Sequence, residues 1–416
     1  MKITYYEYLT NVISGEIKIQ IIFLEKSPYT STTYIDAHEK GIRITNISDI
    51  ELATNRDNPV LFPANVTLDF VDTNFEIYNK LVNGSLEDVE CRIFKNNKTE
   101  FYGTMVNDLD EGYLCDYGEK EVQIEFATPT NKLKEKRFFD IDDNYIQEND
   151  LGAEDRLINI LNNILIKSGF SGNVQLKHDW IYKGESVHTN SYIYNIKTSD
   201  LKVRLQYVIS EDHNMFEVRT YDDLLKALVF SLGGYMSFAD YSRPIFRSLI
   251  YQNEILTPQT NQIMYIKRKK IASKELVRIN PKFQILSTEG LDISEWFYNS
   301  VENYKGSEEN AFIKEVLFPI EEERNARELF VNLDSSYIVN LVKNQINGAW
   351  EPNGKVLLDI WTKIVSSWNN GALEIGLVGD HYEFYNSIKI DGKEFMIESM
   401  KKSLVKNETI IEAFPI

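Results

Sequence analysis

Two cysteines, five histidines and ten prolines are all that 416 residues supply of the types on which metal clusters, disulfide frameworks and stiff linkers depend. Cys91 and Cys115 are too few for a zinc cluster or a disulfide scaffold. They flank a predicted pair of strands and read as buried free thiols. His38, His178, His188, His213 and His381 are scattered, with no pair at helical or zinc-ribbon spacing. His178 and His188 meet beside Asp179 only if a hairpin brings them together; loop histidines with no shared role are the plainer reading. Long apolar runs are also missing. The longest early run, Ile21 to Leu24, is strand-sized, and Met1 to Glu7 has no unbroken apolar segment of the kind an export signal carries. No window reaches the length of a membrane span, so no membrane insertion is expected. The N-x-S/T triplets at Asn46, Asn65, Asn83, Asn97 and Asn407 therefore carry no expectation of glycosylation.

Positive charge is in deficit. Asp and Glu number 63 against 45 Lys and Arg, a formal net of −18. Such a surface repels polyphosphate and gains little counterion release from DNA, so tight nucleic-acid binding is not expected. A conduit for DNA is a different matter, because a wall that repels phosphate lets a strand slide without sticking. Plain solubility explains the same balance. The cationic run Lys267-Arg268-Lys269-Lys270 faces solvent or an acidic neighbouring subunit on this reading, with a phosphate contact as the alternative.

Catalytic signatures are missing as well. The chain has no G-x-S-x-G, no Walker loop and no G-x-G-x-x-G. Asp140-Ile141-Asp142-Asp143-Asn144 imitates the start of an EF-hand loop. It has Tyr145 where the sharp turn needs glycine and Leu151 where calcium needs a bidentate glutamate, so it reads as an acidic linker. Among 63 carboxylates some pairs fall at glycosidase separation by chance, which makes their count uninformative. No catalytic, cofactor-binding or metal residue is assigned, no cofactor is expected, and the chain is not expected to be an enzyme.

What is present is sheet-forming sequence. The chain is long enough for two to four domains, which usually run to about 100–200 residues each, and 22 Phe with 24 Tyr favour strands. The fold class expected is sheet-rich α+β, multidomain, with barrel-like β domains and a helix-containing α+β insertion. Residues 1–138 read as a barrel-like β domain. Ile17 to Ile21 and Asn65 to Phe70 alternate with period two, with turns at Pro28, Asn58-Pro59 and Pro63. Phe75, Tyr78, Leu81 and Val82 predict a short helix over 74–82, ending at Asn83-Gly84, that plugs one end of the barrel. Residues 139–254 read as an α+β domain. One amphipathic helix covers 154–167 and stops at Ser168-Gly169, and a second starts near Thr220 with Leu224, Leu225, Leu228 and Leu232 as its stripe. A hairpin, Tyr235 to Phe238 and Ile245 to Tyr251, follows it. Trp180 to Phe216 is a long insertion. Residues 255–416 read as a second β-rich region with an acidic loop over 302–325, a helix near 355–368, a strand at Tyr382 to Tyr385 and a closing hairpin turned at Asp391-Gly392.

One stretch, between Arg92 and Phe139, is more specific. It runs strand, Phe101-Tyr102-Gly103-Thr104, an acidic hairpin over Asp108 to Tyr117, the strand Val122 to Ala127, and a lysine-rich exit, Asn131-Lys132-Leu133-Lys134. Phe101 and Gly103 read as fold-making residues, a packed ring and a close turn. Together with the helix pair at Arg156 to Leu161 and Tyr221 to Leu228, the latter running into Gly233-Gly234-Tyr235-Met236, and with the hairpin Ile388 to Phe395, this order resembles the tail hub, or baseplate hub, proteins of tailed phages, of the type infecting Bacteroidota. The resemblance covers residues 1–255 well, 256–370 in patches, and the end of the chain fairly.

The resemblance implies a virion structural protein that forms a ring, a trimer with a hexamer as alternative. Such a ring joins the tail tube to spike or tip proteins and leaves a channel for DNA to pass without tight binding. It implies a place in the virion tail, after assembly in the host cytoplasm. Two rival readings remain open from the residues. Dense aromatics at Trp180-Ile181-Tyr182, Trp296-Phe297-Tyr298, Trp361 and Trp368 read most plainly as core or interface packing, with an adsorption protein that stacks on host glycans as the rival. A tail-associated cell-wall hydrolase is the other.

Overall fold

Alternating apolar residues decide the first sheet. In the computed structural model, strand β1 (Lys2–Val12) and strand β2 (Gly15–Glu25) form a long antiparallel hairpin. Ile17, Ile19, Ile21 and Phe23 of β2 all point into the core. The same alternation buries Ala64, Val66, Leu68 and Phe70 of β7 (Ala64–Asp72) against Val122, Ile124 and Phe126 of β10 (Lys120–Ala127), with Phe70 opposite Val122 and Leu68 opposite Ile124. Strands with one apolar face have to be covered, and here they cover each other by curling. The structure describes residues 1–53, 61–83, 89–106, 120–136, 157–170, 234–240, 242–248, 255–268 and 372–415, short strands between 277 and 352, and single positions near 172–177 and 220–229.

The remaining strands of the main sheet are β3 (Ser31–Asp36), β4 (Ile42–Ile47), β5 (Ile50–Ala53), β8 (Val89–Lys95), β9 (Lys98–Met105), β14 (Ile255–Leu256), β15 (Ile263–Arg268), β21 (Leu373–Val378), β22 (Ser387–Ile390), β23 (Lys393–Ser403) and β24 (Glu408–Pro415). Their hydrogen-bonded order is β15-β21-β24-β23-β5-β7-β10-β9-β8-β2-β1-β3. The strand β23 carries the path from one end of the chain to the other, because Ser399 to Lys402 pair with Ala53 to Ile50 of β5. Separate sheets are formed by β6 (Leu61–Phe62), β11 (Gln175–Lys177), β12 (Gly234–Ser237) and β13 (Ile245–Ser248), by β16 (Val277–Gln284), β17 (Lys314–Val316) and β18 (Arg327–Asp334), and by β19 (Leu341–Lys343) with β20 (Trp350–Pro352). The fold is sheet-rich α+β, as its sequence predicts.

Residues 37–41 lead directly from β3 into β4, so the amino-terminal strands curl until these two lie near each other at one end. Among the described residues no backbone pairing closes β3 onto β4; a hydrogen bond of 3.4 Å from the Tyr8 hydroxyl to the Ile44 carbonyl spans β1 and β4. Helix α1 (Glu76–Asn83) fills the interior with Ile77 and Leu81, where the helical spacing places it. Its start is fixed by the fully buried Asp72, whose carboxylate accepts from the backbone N–H groups of Glu76, Ile77 and Tyr78 at 3.1, 2.9 and 2.9 Å. An anion there satisfies three orphan donors and the helix dipole together.

Two short helices follow, α2 (Asn131–Glu135) at the lysine-rich exit and α3 (Leu157–Lys167). Ser168-Gly169 ends α3 as expected: Gly169 adopts φ +88°, and the Phe170 N–H returns to the Leu165 carbonyl at 2.8 Å. Tyr221, Leu225 and Val229 are buried helical positions spaced by four, which agrees with the second amphipathic helix. The 234–248 hairpin is also present as β12 and β13. No helix among the described residues is long and apolar enough to cross a membrane.

Two expectations are corrected. Tyr382 to Tyr385 is not a strand: the Asn386 side chain accepts from the Glu383 N–H at 2.7 Å and its N–H donates to the Glu383 carbonyl at 2.9 Å, closing a turn while Tyr382 and Phe384 are buried. Gly103 is not in a turn but inside β9. A Cβ there would stand 2.6 Å from the Ala127 carbonyl oxygen, so glycine permits the close approach of β10. Phe101 is buried, as a packed ring should be. The acidic hairpin 108–117, the linker 140–150, the insertion 180–216, Trp296 to Tyr298 and the helix near 355–368 lie outside the described residues.

Candidate assembly surfaces

Two features stand out as places where this chain is held together or is open to a neighbour: a buried charged seam and the two ends of the main sheet. The seam starts at the turn between β8 and β9, where Asn96 and Asn97 adopt φ +48° and +66°, the left-handed pair of a tight hairpin. That turn sets Lys95 opposite Lys98 at the hairpin tip. The Lys95 ammonium, only 4% exposed, donates to Asp380, to the Ser14 hydroxyl and to the Leu404 carbonyl at 3.2 Å. Lys98 bridges Glu383 and, at 3.3 Å, Glu100. Lys402 of β23, also 4% exposed, lies 2.8 Å from Glu100 and 3.4 Å from Glu383.

Three cations and three carboxylates thus alternate across the junction of the β8–β9 hairpin with residues 380–402. Burial pulls the Lys95 pKa below its ordinary value. Burial also weighs against the Lys98 charge, but Glu383 and Glu100 outweigh it and its pKa is raised. Opposite charges at this range satisfy one another, and truncating one partner would strand the other. The seam is a clamp between distant parts of the chain. None of its six residues was marked by sequence pattern, because a lysine or glutamate in a strand looks like any solvent-facing residue.

The 234–248 hairpin is fastened to the same sheet. Tyr102 N–H donates to the Ala239 carbonyl at 2.9 Å, and Thr128 Oγ1 donates to the Phe238 carbonyl at 2.8 Å. Buried Arg247 donates to Tyr235 Oη at 3.3 Å and Ser387 Oγ at 3.0 Å, and Tyr235 Oη donates to the Phe384 carbonyl at 3.1 Å. Burial pushes the Tyr235 phenol up to about 12. Tyr102 also stacks beneath Arg92, its ring centroid 3.9 Å from the guanidinium carbon, and donates to Glu90 at 2.6 Å.

At one end of the main sheet, β3 is exposed at every position except the half-buried Ile35. Tyr34, 63% exposed, stacks on Tyr5 with centroids 4.7 Å apart. At the other end is β15, which carries the expected cations Lys267 and Arg268, both exposed. On one of its faces Tyr265 lies over Gly376, where a Cβ would meet the ring at 2.5 Å, and Lys267 sits 4.3 Å above that ring and 3.4 Å from Glu374. Met264, Ile266 and Arg268 occupy the other face, exposed.

Of the residues weighed for chemistry, Cys91 is a buried free thiol whose pKa burial raises. His38 packs at 4.5 Å on Tyr8, and His381 at 4.2 Å on Tyr382. Cys115, His178, His188, His213 and the Asp140–Asn144 segment lie outside the described residues.

No family model and no curated protein matches the sequence. Several solved structures are similar. The 43 kDa tail protein of prophage MuSo2 from Shewanella oneidensis aligns over 89% of this chain and 97% of its own, at 9% identity and a TM-score of 0.44. A tail protein from Neisseria meningitidis MC58 aligns over 90% and 95%, at 10% identity and 0.44. The E. coli c3393 protein, a type VI secretion component with structural similarity to the T4 tail proteins gp27 and gp5, aligns over 90% and 76%, at 10% identity and 0.42.

Proposed function

We propose that the chain is a structural component of a phage tail, a hub that assembles into a ring between tail tube and tip and leaves a passage for DNA. The observation that carries this reading is the main sheet. Among the described residues, strands from the first 130 positions join β15 and strands from the last 50 in one path, whose terminal strands, β3 and β15, are both exposed. Two unlike edges suit a head-to-tail contact between copies, which generates a ring when the rotation between copies closes. The order of elements from β8 to the closing hairpin supports the same reading, and so does a net charge of −18, which suits a passage that phosphate slides through.

On this reading the ring has three copies, with six as the alternative. Tube, spike and tip proteins are its neighbours, the virion tail is its final location, and it acts through assembly without catalysis. Mass photometry and negative-stain electron microscopy of the purified chain test it, alone and with tube and spike partners. Closed rings with a central opening are expected. A protein that stays monomeric at high concentration, with and without those partners, overturns the reading.

A further inference from the structure

We propose that the charged seam is a latch along which the main sheet opens: β14, β15 and β21 to β24 leave the amino-terminal strands as one body and redock in one register. Strand pairing supplies the first argument. Among the described residues these six strands pair only with one another, save for the ladder from β23 to β5. That ladder has four residue pairs, Ser399 to Lys402 against Ala53 to Ile50. Inside the body β23 and β24 share eight, and in the amino-terminal sheet β1 and β2 share eleven. Few backbone bonds break when this joint parts, and each side keeps a sheet of its own.

Charge at the joint supplies the second. Four ion pairs cross it: Lys95 with Asp380, Lys98 with Glu383, Lys402 with Glu100 at 2.8 Å, and Lys401 with Glu51 at 2.6 Å. Each side contributes two cations and two carboxylates, and a slip along β5 would part all four pairs. Lys95, Lys402 and Glu100 are almost wholly buried. Taking such ions out of water is costly, and their mutual attraction does little more than offset that cost. Parting the joint gives the hydration back. An apolar joint has no such return when it opens, so the sheet yields first along its charged line.

Other contacts make the docked form the resting one. Met400 and Leu404 of the body lie in the common core. Arg247 reaches Ser387 Oγ at 3.0 Å, and Tyr235 Oη reaches the Phe384 carbonyl at 3.1 Å. Both come from the 234–248 hairpin, which is itself bonded to Tyr102 and Thr128 of the amino-terminal side. A latch needs both features, a docked state that dominates and a line along which it releases.

Hydrogen exchange of the full chain, read by mass spectrometry in urea below the unfolding midpoint, tests this. Amides of β15, β21, β23 and β24 are expected to exchange through one shared opening while those of β2, β7 and β8 stay protected. Two variants separate that opening from global unfolding. Lys402→Met removes a contact made only when the body is docked, and should speed exchange in β21, β23 and β24 by on the order of a hundredfold. Ile124→Val loosens the amino-terminal core, which is intact in both the docked and the open forms. It should speed exchange in β2 and β7 several-fold and leave β21, β23 and β24 unchanged. The latch is overturned if the carboxy-terminal strands exchange only together with β2 and β7, or if Ile124→Val speeds all of them by the same factor. Unchanged rates in Lys402→Met overturn the role of the seam. Should that variant fail to fold, the wild type and Ile124→Val decide.

Discussion

Lys402 and Glu100 meet at 2.8 Å across 302 positions of sequence, with 4% and 8% of their side chains exposed. Removing one member of such a pair leaves a buried charge without its partner, which typically costs about 3–5 kcal/mol, whereas neutralising both is far milder. Lys402→Met should therefore lower the urea midpoint of the chain strongly. Adding Glu100→Gln should restore part of the loss, with Glu383 still facing the vacated position. A single variant as stable as wild type would show that the seam contributes nothing.

The seam also marks where sequence reading stops. Period-two alternation in β2, β7 and β10, the apolar spacing of α1 and the Asp391-Gly392 turn are local signals, and each is legible because burial on one face repeats at the period of its element. Lys95, Lys98, Glu100, Asp380, Glu383 and Lys402 have no such period. Their meaning comes from contacts 285 and 302 residues apart. The same holds for the edges: no local signal marks Ser31 to Asp36, and only the pairing order among the described residues sets it at one end of the path. Tyr382 to Tyr385 misleads because its alternating rings are buried from a turn that Asn386 closes. Gly103 reads as a turn residue because nothing nearby in sequence announces the Ala127 carbonyl beside it.

Tyr235 is one of several groups whose proton burial holds on to in the alkaline range, with Tyr6, Tyr382 and Cys91, and comparison with its phenylalanine variant singles it out. Its folded pKa of about 12 lies above the ordinary value, so the folded chain keeps the phenolic proton that the unfolded chain gives up. The stability from this site is thus fully present below about pH 10 and lost as pH rises toward 12. Tyr235→Phe gives up the hydroxyl's bonds to the Phe384 carbonyl and Arg247, which should lower stability at pH 7 by roughly 1–2 kcal/mol. That deficit should shrink between pH 10 and 12. Denaturation of both proteins across this range checks it, and a deficit that stays constant with pH would contradict the assignment.

Two glycines should respond differently to alanine. At Gly103 the added methyl meets backbone, the Ala127 carbonyl oxygen at 2.6 Å and its carbon at 2.8 Å, so strands must part. Overpacking of this kind costs about 1–3 kcal/mol or more. At Gly392 there is open space, and only φ +77° opposes a side chain, at about 1–2 kcal/mol. Thermal unfolding should rank Gly103→Ala below Gly392→Ala. Hydrogen exchange should place the added opening at the β9–β10 contact in the first variant and at the β22–β23 turn in the second.

Asp72 offers the sharpest local test of how the interior of the main sheet is built. Its carboxylate receives three backbone N–H groups at the start of α1 and is itself fully buried at the end of β7, opposite Ile42 and Lys120. Asp72→Ala leaves those donors without their acceptor in a site water does not reach. Losing a cap typically costs about 0.5–2 kcal/mol, and burial with charge-assisted bonds puts this one at the upper end. Asp72→Asn keeps one acceptor oxygen and should retain part of the stability. α1 inserts Ile77 and Leu81 into the core, so the alanine variant should also lose protection at the amides of β1 and β7 that surround the helix. Exchange confined to residues 76–83, with those strands unchanged, would mean that the helix is an ornament on the sheet and not its interior support.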